Sequence, residues 1–143
     1  MTENKAKLTD ARVRSRLFVG VALAAAVAHT ANAQSPAPAN PVGTWRGTST
    51  CLVRPSACHD EIVVYRITQV KADSLSVDAL KIVNGQEDDM GLLACRVVPS
   101  SGKVACSIPH GVWYFTARGD SLTGELRLPD NTRFRAVRAI RSR

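Results

Sequence analysis

The chain has 143 residues, a formal charge of +7 and only seven Phe, Trp and Tyr residues. That length suits a single domain and excludes the large α/β architectures. Hydrophobic residues at 45% beside charged residues at 22% exclude wholesale disorder.

Residues 1–16 form a basic leader carrying Lys5, Lys7, Arg12, Arg14 and Arg16 against Glu3 and Asp10. Leu17 to Ala28 then runs without a polar side chain, and Ala31-Asn32-Ala33 places small residues before Gln34. Basic segment, short apolar segment and A-x-A site in that order read as a secretory signal peptide cleaved after Ala33. The apolar run is shorter than the roughly 20 residues a membrane span needs, so no anchor is expected after cleavage. Export to the periplasm or beyond is the expected localisation. The leader holds five of the nineteen basic residues and two of the twelve acidic ones. What remains is only mildly basic, and no nucleic-acid partner is expected. Residues 34–41 (QSPAPANP) hold three of the seven prolines and read as an extended tether. Residues 42–143 are left as one folded domain.

Period-two patterning dominates that domain, with no helical period after the leader. The first strand spans about Thr44–Val53. The second, Glu61–Val70, is too apolar in its middle to assign faces. The third spans about Ser74–Val83 and ends on Asn84-Gly85, the clearest hairpin signal in the chain. Glu87-Asp88-Asp89 then reads as a solvated acidic hairpin tip, lacking the oxygen-ligand spacing of a calcium loop. The fourth strand spans about Leu92–Val98 and the fifth Lys103–Ile108. Val112–Arg118 puts Trp113, Phe115 and Ala117 on one face. Gly119-Asp120 turns the chain, and Leu122, Gly124, Leu126 and Leu128 alternate with polar residues. Thr132–Arg141 makes the eighth strand. Eight short strands in about 100 residues are best closed as an antiparallel up-and-down barrel, which removes both edges; a two-sheet sandwich is the alternative.

Four cysteines in an exported chain read first as disulfides. With Ser100-Ser101 at the tip of the fourth hairpin, the antiparallel register puts Cys95 opposite Cys106, within bridging distance. Cys51 is then left to Cys58 across a short loop. A metal site from Cys51, Cys58 and His59 is the rival, but the spacing is not a common zinc pattern.

Gly43-Thr44-Trp45 opening the first strand, the meander and the Arg-rich last strand resemble the lipocalin-like (calycin) barrels. The resemblance implies that Trp45 packs beneath the barrel against an Arg of the last strand. Among Arg133, Arg135 and Arg138, the flanking apolar residues favour Arg138. The resemblance bears on fold more than on activity.

Chemical motifs are scarce. The chain after the leader holds no G-x-S-x-G, H-E-x-x-H, P-loop, G-x-G-x-x-G or C-x-x-C. No catalytic residue, cofactor or metal is therefore assigned. A Ser107, His110 and Asp120 set would need the fold to bring it together. Arg118-Gly119-Asp120 is sufficiently explained as a tight turn. Two features carry functional weight. Trp45, Tyr65, Trp113, Phe115 and Phe134 either line a ligand cavity or fill a solid barrel. Arg133, Arg135 and Arg138 either form an anion-binding stripe or protect an exposed strand from edge pairing. The expected function is an exported, non-enzymatic binding barrel for a small apolar or amphipathic ligand or an acidic envelope component. An inhibitor barrel acting on an exported lysozyme or protease is the alternative, and an enzyme of unrecognised type the third.

Overall fold

Alternation of apolar and polar residues from Gly43 onward gives each segment one face to bury, and short turns fold these segments against one another. The computed structural model describes residues 38–143; the expected signal peptide and the first part of the Pro-rich segment lie outside the described residues. Eight strands follow: β1 (Gly43–Cys51), β2 (Glu61–Lys71), β3 (Ser74–Val83), β4 (Gln86–Val98), β5 (Lys103–Ile108), β6 (Gly111–Arg118), β7 (Ser121–Arg127) and β8 (Arg133–Arg141). Each pairs antiparallel with its neighbour in sequence, and β8 returns to β1, from Trp45↔Arg141 to Cys51↔Arg135. The result is one closed barrel, not a two-sheet sandwich.

The inward residues include Trp45, Val63, Ile67, Val77, Phe115 and Leu122, all essentially inaccessible to solvent. Gly124 is inward as well, and its missing side chain makes room for a ring. A Cβ there would lie 2.7 Å from Cδ1 of Phe115. Phe115 is stacked on Trp113 (centroids 5.5 Å, planes 8° apart) and tilted against Tyr65 at 5.2 Å. A glycine inside this strand marks a close approach, not a bend.

Both expected disulfides are present: Cys95–Cys106 joins directly opposed residues of β4 and β5 with Cα atoms 4.2 Å apart, and Cys51–Cys58 closes the β1–β2 loop at 5.9 Å. Two disulfides fit an oxidising compartment.

The fourth strand is longer than its sequence pattern implies. β4 starts at Gln86, so the acidic run Glu87-Asp88-Asp89 lies within the strand and only Asn84-Gly85 forms the tip. Both turn residues have positive φ (50° and 79°), as a two-residue hairpin turn requires. The acidic residues tolerate a strand because neighbouring strands supply cations: Glu87 accepts from Arg66 on β2 at 2.7 Å, and Asp88 lies 3.6 Å from Lys81 on β3. Gly91 marks a register shift between β3 and β4. The β4–β5 ladder covers only Cys95 to Val98, so Gln86–Gly91 pair with β3 alone.

Candidate functional site

The barrel's two ends are built differently. At the end where β1 begins and β8 finishes, Trp45 is fully buried with the Arg141 guanidinium 4.1 Å from its ring centroid. The indole Nε1 donates to the Pro41 carbonyl at 2.8 Å. Arg141 donates to the carbonyls of Val42 (2.7 Å) and Asn40 (2.9 Å), and the Ala39 amide donates to Ala117 O at 2.9 Å. The chain segment ahead of β1, expected to be a tether, is in its described part a strap bound across this end. The end is shut.

The stacking arginine is therefore Arg141, not Arg133, Arg135 or the favoured Arg138. Register decides this. Val137 and Ala139 are buried, so Arg135 and Arg141 share their inward phase. Arg138 lies opposite Thr48 and is exposed with its neighbour Ile140 on the outer face. The apolar flanks that favoured Arg138 do not share one face: Ile140 lies on the outer face with Arg138, while Ala139 points inward.

The opposite end is open. A cavity of about 350 Å³ is lined by Ala79, Met90, Leu93, Ile108, Trp113 and Leu126, with Ser49, Glu61, Tyr65 and Arg135 as its polar groups. Arg135 organises those groups. Its Nη1 donates to Ser49 Oγ at 2.8 Å and lies 2.9 Å from Glu61 Oε2, while Nη2 donates to the His59 carbonyl at 2.9 Å. The last bond ties the disulfide-closed β1–β2 loop to the rim. Tyr65, hydrogen-bonded to Ser49, has its phenol pushed well above the usual range, chiefly because burial disfavours the phenolate. Arg135 opposes that shift and Glu61 adds to it. The group is a neutral phenol throughout the physiological range.

Comparison with known proteins finds no matching family model, no matching curated protein and no matching solved structure.

The aromatic residues singled out in the sequence divide by position. Trp45 seals the shut end, Phe115 fills the middle, and Tyr65 and Trp113 reach the cavity. Phe134 sits at a register shift between β7 and β8, half-buried and outside the core cluster; its carbonyl accepts the Leu52 amide at 3.0 Å. The three arginines divide as well. Only Arg135 faces inward. Arg133 lies on the outer face, where Glu125 receives Nε of Arg133 and Nε of Arg127, each at 2.8 Å. These cations, Arg127 foremost, hold the Glu125 carboxyl below its usual range. Ser107 near the end of β5 and His110 in the turn that follows lie beside the start of β6, and Asp120 lies beyond its far end, separated by about 25 Å of strand. No triad forms from them, and both cysteines of the rival metal set are spent in a disulfide. Sequence reasoning missed Glu61 and Ser49 as site residues. The signal was present in β2, where Glu61 shares the parity of Val63 and Tyr65.

Proposed function

We propose that this chain is an exported, non-enzymatic binding barrel that holds a small amphipathic molecule in its open end. One observation carries the reading: an inward-facing polar cluster at the open end, Ser49, Glu61, Tyr65 and Arg135, sits on a cavity otherwise walled by apolar side chains. Such sites combine apolar walls with a few fixed polar groups that orient the ligand. The cavity's volume falls at the small end of the usual range of roughly 300–1,000 Å³. The leader supports export, with cleavage after Ala33, and the disulfides agree with that route. The resemblance to lipocalin-like barrels supports the same reading, since Gly43, Trp45 and a last-strand arginine meet at the shut end.

The test is native mass spectrometry of the chain purified from the periplasm or medium of its own host. A retained small molecule, lost on denaturation and absent from a Trp113→Ala, Leu93→Ala variant, is the expected result. An unliganded wild type, together with no change in Trp113 fluorescence across a set of small amphiphiles, refutes it.

A second reading, inhibition of an exported lysozyme or protease, draws support from the β3–β4 hairpin. There Val83 is exposed and Gln86–Gly91 pair on one side only. Loss of hydrolase activity on adding the chain, reversed by Val83→Asp, would favour it.

A further inference from the structure

We propose that the open-end cavity selects ligands with an uncharged polar head, a hydroxyl or primary amide on a short apolar body, and discriminates against carboxylates. This rests on the binding function proposed above and names its ligand class. An inward arginine lining an apolar cavity ordinarily signals an anion partner. Here that partner is already present, because Glu61 Oε2 lies 2.9 Å from Arg135 Nη1. The two side chains are largely withdrawn from water, 13% exposed for Arg135 and 25% for Glu61. Their charges cancel in the cavity wall.

A carboxylate entering the cavity would be drawn by Arg135 and repelled by Glu61 at similar range. It would keep the full cost of leaving water with little net return. An ammonium head meets the converse arrangement. A hydroxyl or amide loses far less hydration and finds both kinds of partner. Arg135 retains N–H donors beyond its three bonds, since a guanidinium carries five. The Glu61 carboxylate retains acceptor lone pairs for a head-group donor. The Tyr65 phenol, kept neutral, adds no charge to the lining. Size limits the body: about 350 Å³ holds on the order of a dozen non-hydrogen atoms, at the ~30 Å³ that one water occupies in the liquid.

Octan-1-ol, octanamide, octanoate and octylammonium differ in head group and little else. Their dissociation constants for the mature chain, read from Trp113 fluorescence at pH 7.5 with Trp113→Phe as the blank, rank the heads directly. Octanol and octanamide are expected to bind at least tenfold more tightly than either ion. In Glu61→Gln, with folding checked by circular dichroism, the affinity of octanoate relative to octanamide should rise at least tenfold. Octanoate or octylammonium binding as tightly as the amide in the wild type overturns the head-group assignment but leaves the cavity as a binding site. No binding by any of the four overturns both. Should Glu61→Gln fail to fold, the wild-type ranking decides alone.

Discussion

Arg141→Ala tests how the barrel is shut. The substitution removes a guanidinium stacked on Trp45, two hydrogen bonds to strap carbonyls and an ion pair to Asp120 at 3.6 Å. Stacking contributes about 0.5–2 kcal/mol, according to how far the cation is desolvated. Bonds from a charged donor contribute about 1.5–3 kcal/mol each when well buried. Arg141 is 28% exposed, so the lower figures apply. Asp120, at 75% exposed, adds little. The expected loss is about 3 kcal/mol, a large share of the roughly 5–15 kcal/mol that a domain of this kind possesses. Urea unfolding monitored by circular dichroism should show the midpoint falling with an unchanged slope. Hydrogen exchange at the Ala39 amide adds a local readout, because its bond to Ala117 O depends on the strap staying in place. Arg141→Lys keeps the charge but not the planar fork, and should recover about half of the loss. A loss below about 0.5 kcal/mol, with Ala39 protection unchanged, would refute this account of closure.

Three further outcomes are expected. Gly124→Ala places a methyl against the Phe115 ring and Val137 (2.7 and 3.2 Å) and should cost about 1–3 kcal/mol by overpacking, recovered in part by Phe115→Leu in the same chain. Glu125→Gln should lower stability by about 0.5–1 kcal/mol at pH 7. Because the folded carboxyl titrates below its unfolded value, that difference is present above the ordinary carboxylate range and disappears as pH falls through the lowered folded value; a difference persisting unchanged at low pH would contradict the ion-pair origin. In a Tyr114→Phe chain the sole tyrosine is Tyr65, whose raised pKa means that folding favours the phenol and stability is lost as pH rises above about 10. Its tyrosinate absorbance at 295 nm should therefore rise only together with unfolding, and a separate earlier rise would show that the phenol is not sealed in.

Much of the fold is legible in the residues because local signals agree with one another. Asn84-Gly85, Pro99-Ser100-Ser101-Gly102 and Gly119-Asp120 turn the chain, and alternation between them gives strands whose neighbours follow from short connections. The same local logic places Cys95 opposite Cys106. It fails where partners are distant in sequence. Glu87 and Asp88 read as a turn because nothing near them in the chain shows that Arg66 and Lys81 will lie alongside. Arg138 looks suitable for Trp45 by composition, but one residue of phase sends it outward, and a period-two pattern makes every such slip a change of face. The candidate site is harder to read still. Ser49, Glu61 and Arg135 are spread over three strands, and only the closure of β8 on β1 brings Arg135 beside Ser49.

Arg135 and Arg141 are the same residue type on the same face of the same strand, and they act in opposite ways because of what each end supplies. Arg141 meets neutral acceptors, the carbonyls of Asn40 and Val42, and the indole face of Trp45. Its charge is spread over dipoles that belong to the chain itself, and those bonds cover the end. Arg135 meets a carboxylate and a carbonyl from a loop held by Cys51–Cys58. None of residues 52–60 lines the cavity, which stays open beside the arginine. Without Glu61, Arg135 would carry an unopposed charge beside an apolar cavity, and an anion would become the favoured occupant. On the binding function proposed above, Glu61 therefore sets which head groups suit the cavity, although Arg135 makes more of the polar contacts.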